Sequence, residues 1–540
     1  MGALPNARVS TETNLIGYET NFYFAVPYVV RPMGESDGTL GTLRTFKAAA
    51  DNPLTRNVLK ALSKQCRKDG ANRLEVALEL YVGTRKIACL SCRASRSMLS
   101  PILGIACRGF GLAQEQLKDK LQDAYWRRGL LNVIKGIAWF GVHRPYTPGA
   151  PFQVVWNITR ACNLKCIHCY EDAGVKTTDE LTTEEALRGV DILADAGVLI
   201  LAFSGGEPTI RPDILCLIQR SSDRGMFTAV ATNAVVFSSR GRVKQFKKAG
   251  LKFAQISLDG IDPKTHDSFR GMPGTFEKTV EGIKNCVAED LFVEIATTGT
   301  HYNMKEIPAL IDFAAKLGVN WFMLYNFVPT GRGRDIIESD LTPDEREGIL
   351  KMCWNKMKVA GVDVLSTAPQ FARIAQEAEA KPIFAGDPGV IASRIHQQED
   401  LHVVPTHFYN PKLSGQLKQL ADFIGGCGAG RFYLSLEPNG DIYPCVFFPH
   451  DDSMRVGNLL KDNFEDIWRH SKLFRSMRDK DKLRENCGDC RYRYTCGGCR
   501  ARAYNYFKDI LAPDPGCALN REFWDRLQED LKSESYARDR

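Results

Sequence analysis

"ITRACNLKCIHCYEDAG", residues 158–174, sets Cys162, Cys166 and Cys169 within eight positions at the start of a regular strand–helix alternation. The run that leads into it, "FQVVWNIT" (152–159), reads as a buried strand. After the loop, "LTTEEALRGVDILADAG" (181–197) reads as a helix. Thr182 and Glu185 have capping-box spacing, Leu187, Val190 and Leu193 line one face, and Gly197 stops it. The beat then repeats. "VLILAF", "FTAVAT", "FAQISL", "FVEIAT" and "WFMLYN" are strands, with helices at 211–225, near 239–249, near 275–289 and at 306–318 between them. Six strands alternating with helices up to about residue 330 predict an α/β fold with a parallel sheet wound by right-handed crossovers. Six units suit a partial, TIM-like (β/α)6 barrel better than a closed eightfold one. The cysteine loop then lies at the C-terminal end of the first strand, where such sheets keep their active sites.

The flanks differ from this core, which we place at 152–335. Residues 1–45 form an N-terminal segment. Residues 46–145 read as a helical region, with stretches such as "PLTRNVLKALSKQ" and "EQLKDKLQDAYWRRGLLNVIKGIAWF". "VHRPYTPGAPF" (142–152), rich in Pro and Gly, marks the boundary. Residues 336–420 are a mixed, helix-leaning linker or insertion. A small cysteine-rich domain follows at 421–520, and 521–540 is a tail. No repeat of 20 to 50 residues is seen.

A chain of 540 residues exceeds one ordinary core, so two or three domains are expected. A net charge of +7 spread over this length is mild, and no basic stripe with interleaved aromatics points to nucleic acid. The start, "MGALPNARVSTETN", lacks the layout of a signal peptide. No apolar run nears the roughly 18 residues needed to span a membrane; "LLNVIKGIAWFG" (130–141) is short and holds Lys135. The expected location is therefore the cytoplasm, without membrane or nucleic-acid partners. There, 17 cysteines read as thiols rather than disulfides. Ten lie in two groups, the three of the loop and the seven between Cys427 and Cys517, and clustered thiols in a reducing compartment mean metal.

Three close thiolates admit two readings. Zinc would take a fourth ligand from elsewhere, with His168 in the loop as candidate. A 4Fe–4S cluster held by three cysteines would leave one iron open.

Cys162, Cys166 and Cys169 match the CxxxCxxC signature of radical SAM enzymes, with His168 in the place of the usual aromatic. The resemblance implies a cluster whose open iron binds the amino and carboxylate groups of S-adenosylmethionine (SAM). Reductive cleavage then yields a deoxyadenosyl radical that abstracts hydrogen from an unactivated carbon. "FSGGEP" (203–208), after the second strand, resembles the family's GGEP motif through Gly205, Gly206, Glu207 and Pro208. Glycine lets backbone approach closely, and a carbonyl with Glu207 can accept from a bound ammonium. "ATNAV" (231–235) holds Asn233 where the family often has Thr-Asn-Gly, with Ala234 replacing the glycine. In "ISLDG" (256–260), Ser257 and Asp259 resemble residues that face the SAM ribose, although an Asp at a strand end is often a turn cap.

The tail holds Cys427, Cys445, Cys487, Cys490, Cys496, Cys499 and Cys517. Its two CxxC pairs are only five residues apart, against about 15 to 20 in a zinc ribbon, which leaves a zinc knuckle of another type as the zinc alternative. The order resembles the SPASM extension of radical SAM enzymes, and "CGGCRARAYNYF" resembles the C-terminal stretch of radical SAM enzymes of the heme-d1 and alternative heme pathways. The SPASM resemblance implies one auxiliary cluster on Cys487, Cys490, Cys496 and Cys517, and three ligands to a second from Cys427, Cys445 and Cys499. The last CxxC is shorter than the family's usual spacing. No cysteine lies shortly upstream of Cys427, the nearest being Cys353, so one or two auxiliary clusters are expected.

Three further features carry less. Cys66, Cys89, Cys92 and Cys107 offer a third metal set with a CxxC in "ACLSCR", but that stretch reads as helix, where lone cysteines serve as small buried hydrophobes, and the latter reading is preferred. Arg332 and Arg334 in "PTGRGRD" could meet an anionic group. Val446 follows Cys445, where peptide-maturing relatives can carry a carboxylate base, and no general acid or base is named.

The expectation is a radical SAM oxidoreductase or maturase, supplied with electrons by ferredoxin or flavodoxin and acting on a peptide, protein or tetrapyrrole. A non-enzymatic iron–sulfur electron carrier or zinc scaffold explains the cysteines but not the GGEP stretch with six βα units.

Overall fold

The computed structural model describes residues 50–109, 113–357, 359–380 and 425–538. The N-terminal segment 1–45 and residues 381–424, which take in the second half of the expected linker, lie outside the described residues.

A two-stranded hairpin, β1 (Gln65–Cys66) and β2 (Ala71–Asn72), stands in the helical region. Among the described residues, the other strands form one ten-stranded sheet. The expected six strands are β3 (Gln153–Asn157), β4 (Ile200–Ser204), β5 (Phe227–Thr232), β6 (Phe253–Ser257), β7 (Phe292–Gly299) and β8 (Trp321–Asn326), all parallel and neighbours in chain order. Two short parallel strands extend them. β9 (Asp363–Ser366) pairs with β8, so the stretch read as helix-leaning supplies another βα unit before the helix Gln370–Ala380. On the other edge β10 (Tyr433–Leu436), from the cysteine-rich region, runs parallel to β3 and carries the antiparallel β11 (Asp441–Tyr443) and β12 (Gly457–Asn458). The ladder runs from β12 to β9 without closing, a partial barrel.

The strands alternate. Val154, Trp156, Leu201, Phe203, Ile256, Ile295 and Phe322 face outward into the main apolar core under the helices. Val155, Ala202, Ala229, Gln255, Glu294 and Ala296 face inward and line a cavity. Phe227, Phe253, Trp321, Met323 and Tyr325 also face in, and the small or polar side chains among them leave part of this interior open rather than packed. The helix Thr183–Ala196 begins with the Thr182–Glu185 capping box and ends on Gly197 in the left-handed region (φ 100°), as the spacing predicts.

Helices Pro53–Leu62, Arg73–Val82, Leu90–Gly109, Gln114–Lys120 and Ala124–Phe140 form the N-terminal region around a separate apolar core. The last of them docks beneath the barrel. Arg128 donates to the carbonyls of Arg224 and Ala194 (2.7 Å each), capping two core-helix C-termini, and Asn132 donates to that of Gly197 (3.2 Å). Tyr125 meets Phe227 edge-on at 6.2 Å and lines the bottom of the cavity. Among the described residues, no helix is long and apolar enough to cross a membrane.

Candidate active site

The cysteine loop is held as a closed circuit above the strand ends. Cys162 N donates to Gly174 O and Gly174 N to Arg160 O (2.9 Å each), joining its two ends. Lys165 N and Ile167 N donate to the carbonyls of Arg270 and Phe269 at the end of the helix Pro263–Arg270. Arg332, offered by sequence as an anion binder, braces the loop: its Nε donates to Cys166 O (3.0 Å), and its Nη1 to Ala173 O (2.7 Å) and Asp172 (2.8 Å). Arg334 is exposed.

The GGEP stretch packs onto this circuit. Gly206 N donates to Thr159 O (2.7 Å) and Glu207 N to Ala161 O (2.8 Å). A Cβ on Gly206 would come within 2.1 Å of Ala161 O, so glycine is required there by the cysteine loop's own backbone. The Glu207 carboxylate is fully engaged. It accepts from Thr209 N (3.0 Å), Thr209 Oγ1 (2.5 Å), Thr232 Oγ1 (2.7 Å) and Asn233 N (2.8 Å), tying the β4 loop to the end of β5. Pro208 opens the turn that follows. Asn233 donates to Asn163 Oδ1 (2.9 Å) inside the cysteine loop.

Ser257 lines the cavity; Asp259 is not among its lining residues. Its carboxylate is buried in an ion pair with Arg270 and accepts from Thr298 N (2.8 Å). Arg270 Nη1 in turn reaches Cys166 Sγ at 3.6 Å. His168 stacks on Phe269, centroids 4.0 Å apart, and burial keeps its imidazole neutral.

One cavity of about 320 Å³ joins these parts. Cys162, Cys166 and Cys169 line it, and so do Cys427, Cys445 and Cys499 of the cysteine-rich region. Cys487, Cys490, Cys496 and Cys517 are not among its lining residues. Electrostatic neighbours among the tail thiols follow this division. Cys445 feels Cys427 and Cys499, whereas Cys496 feels Cys487 and Cys517, and Cys490 feels Cys487. Cys353 is buried in the main core, away from both sets.

A buried polar network fixes the cysteine loop against the C-terminal region. Asn157, at the end of β3, donates to Glu171 (2.7 Å) and Glu437 (2.9 Å), Arg160 pairs with Glu437 (2.9 Å), and His450 Nδ1 lies 3.2 Å from Glu437. Burial and the neighbouring Glu437 charge push the Glu171 pKa upward, against the opposing pull of Arg160. Sequence reasoning missed this network because its members are about 280 residues apart. It also missed Glu294, whose carboxyl lines the cavity and accepts from Gln255 Nε2 (2.6 Å). A Glu inside the apolar strand "FVEIAT", beside a Gln in "FAQISL", was the available signal.

The sulfurs suit iron–sulfur ligation. Leu164 N donates to Cys162, Tyr492 N to Cys490, Gly498 N to Cys496 and Arg502 N to Cys499, each at 3.4 Å. Such donors stabilise thiolate and tune a cluster. Burial pushes the free Cys162, Cys499 and Cys517 thiols each up to about 12, so only a bound metal's charge would make them thiolates at pH 7.

Known proteins place this geometry. The radical SAM superfamily profile matches residues 156–314, and that of SPASM, an iron–sulfur cluster-binding domain, matches 427–491. An AdoMet-dependent heme synthase of Methanosarcina barkeri is 33% identical over 373 residues, covering 68% of this chain and 96% of that protein. A mycofactocin maturase of Mycobacterium tuberculosis is 28% identical over 371 residues, covering 68% and 83%. The crystal structure of Streptococcus suis SuiB shares the fold at 17% identity and a TM-score of 0.54, covering 82% of this chain and 92% of that one. The chain belongs to the radical SAM superfamily and carries an SPASM domain: it is an enzyme of SAM-derived radical chemistry, with a 4Fe–4S cluster, SAM and auxiliary iron–sulfur clusters as cofactors.

Proposed function

We propose that this enzyme abstracts hydrogen from a propionate-bearing tetrapyrrole held in the cavity between the cysteine loop and the C-terminal region. One observation carries the reading: Cys162, Cys166 and Cys169 share a single cavity with Cys427, Cys445 and Cys499. The heme synthase relative, matched over nearly its whole length, supports the substrate class.

In this reading Cys162, Cys166 and Cys169 hold the SAM-binding 4Fe–4S cluster. Bound there, SAM and the cluster supply a deoxyadenosyl radical. The backbone of Gly205, Gly206, Glu207 and Pro208 frames the SAM site with Asn233 and Ser257. Glu207 acts through its backbone, because its carboxylate already accepts four hydrogen bonds. Asp259 positions Arg270 against Cys166, and His168 packs the loop. Cys487, Cys490, Cys496 and Cys517 hold one auxiliary cluster, and Cys427, Cys445 and Cys499 a second on the chamber wall. Glu294 keeps a proton in the chamber. An external donor such as ferredoxin or flavodoxin supplies electrons, and a reducing cytoplasm suits the seventeen free thiols.

The test is anaerobic reconstitution with iron and sulfide, followed by SAM, dithionite and iron coproporphyrin III. The expected result is deoxyadenosine formed together with loss of a porphyrin carboxyl group, and neither product from a Cys162→Ala, Cys166→Ala, Cys169→Ala variant. Deoxyadenosine with unaltered porphyrin would move the substrate to a peptide, as the name of the mycofactocin relative suggests.

A further inference from the structure

The N-terminal region brings together four side chains that the radical chemistry does not use. Cys66 ends β1 and Asp69 lies in the turn of the β1–β2 hairpin, and Cys89 and Cys92 stand at the start of the helix Leu90–Gly109. The sequence reading set these cysteines aside as small buried hydrophobes on a helix. The structure begins that helix only at Leu90, so Cys89 precedes it, and Cys107 lies in a different apolar core. The three sulfurs and a carboxylate oxygen of Asp69 all lie within 4.8 Å of one another. Cys66 Sγ is 3.5 Å from Cys89 Sγ and 3.5 Å from Asp69 Oδ2.

We propose that Cys66, Asp69, Cys89 and Cys92 bind one structural zinc ion. Four ligands arranged tetrahedrally about zinc, with metal–sulfur bonds of about 2.3 Å, stand about 3.8 Å apart, close to the separations seen. A multinuclear iron–sulfur cluster, with each thiolate on a different iron, would hold its sulfurs farther apart. The pattern is a zinc knuckle: C-x2-D on a tight hairpin, then C-x2-C nineteen residues on, with Asp69 in the place of a fourth Cys or His.

The hairpin is built for it. Gly70, at φ 69°, makes the turn, and its N–H closes on Cys66 O at 2.9 Å. Asp69 reaches across the chain, its two carboxylate oxygens accepting from Cys89 N at 3.1 and 3.2 Å. Lys64, Arg67, Lys68 and Arg73 surround it in sequence, yet its carboxylate turns to the thiols. A carboxylate set among three thiols gains most from a cation between them. The ion would staple β1–β2 to the head of the helix Leu90–Gly109, around a satellite core of Cys66, Val76, Leu80 and Cys92.

The experiment measures zinc and iron on the purified, reconstituted full chain and on a Cys89→Ser, Cys92→Ser variant. The expectation is about one zinc per chain in the parent, lost in the variant while iron per chain is unchanged. Should the double variant fail to fold, Asp69→Cys decides. It keeps zinc, and zinc X-ray absorption changes from three sulfurs at about 2.3 Å with one oxygen at about 2.0 Å to four sulfurs. Iron at the site, a Cys66–Cys89 disulfide in place of metal, or zinc that persists in the double variant would overturn the assignment.

Discussion

Arg332, in the loop after β8, donates from Nε to the backbone carbonyl of Cys166 at 3.0 Å. Its backbone N–H donates to Cys169 O (2.9 Å), so one residue grips the cysteine loop at two of its three cysteines. Gly331 beside it permits the approach: at φ 55°, a Cβ there would come within 2.5 Å of Cys169 O. Arg332→Ala removes three side-chain hydrogen bonds and leaves two backbone carbonyls without that donor. At about 1–3 kcal/mol, iron should leave the loop about five- to hundred-fold faster in a chelator challenge, with Arg332→Lys recovering only part of the loss. Unchanged iron loss would show that the loop does not depend on this brace.

Glu294 sets a pH dependence. Desolvation lifts its pKa from 4.5 to about 8, so the folded chain holds a proton there that the unfolded chain gives up. This contribution is whole below about pH 4.5, falls as pH rises toward 8 and is flat beyond, with a slope of up to about 1.4 kcal/mol per pH unit. Glu294→Gln removes the slope. Compared by thermal midpoint at about pH 6 and about pH 8, the variant should gain on the parent as pH rises. A pH-independent gap between the two would mean that Glu294 is ionised in the fold.

Ala234 sits at φ 59°, fully buried, in the position where the family often has glycine. The left-handed conformation costs a non-glycine residue about 1–2 kcal/mol, part of which glycine returns as entropy in the unfolded chain. Ala234→Gly should therefore be neutral or stabilising by up to about 1 kcal/mol in a denaturant midpoint. A loss of more than about 1 kcal/mol would show that packing of the Ala234 methyl outweighs the strain.

The two tail sets should be separable. Cys427→Ala with Cys445→Ala should remove up to about four irons per chain and leave the set on Cys487, Cys490, Cys496 and Cys517 loaded. Reductive SAM cleavage at the core loop should persist, while product formation in the chamber falls. Loss of all C-terminal iron from this pair of substitutions would mean that the two sets form a single site.

The six core strands, their parallel order and the capped helix after the cysteine loop were legible because each depends on residues close in sequence. Thr182 and Glu185 are one turn apart, and apolar strands bounded by Gly-containing turns carry their own period. β9 and β10 were not legible. Each is four residues long, and β10 joins β3 across some 280 positions, a pairing no local pattern encodes. From sequence, Asp259 resembles a residue that faces a ribose or else a turn cap, and Arg332 or Arg334 reads as an anion contact or a solvated loop residue, because a charged residue at a strand end fits either role. In the fold Asp259 neutralises Arg270 and Arg332 binds loop carbonyls.

By itself the sequence determined the chemistry: which thiols cluster, that the core is a wound α/β sheet, and that the loop lies at the C-terminal strand ends. Spacing of a few residues along a chain suffices for that. The tertiary structure decided what those groups share. It set three tail cysteines and three core cysteines around one cavity, buried Glu294 inside it, and folded Asp69 onto Cys66, Cys89 and Cys92. Distances between residues far apart in the chain are fixed by the packing of whole elements, and only the folded chain specifies them.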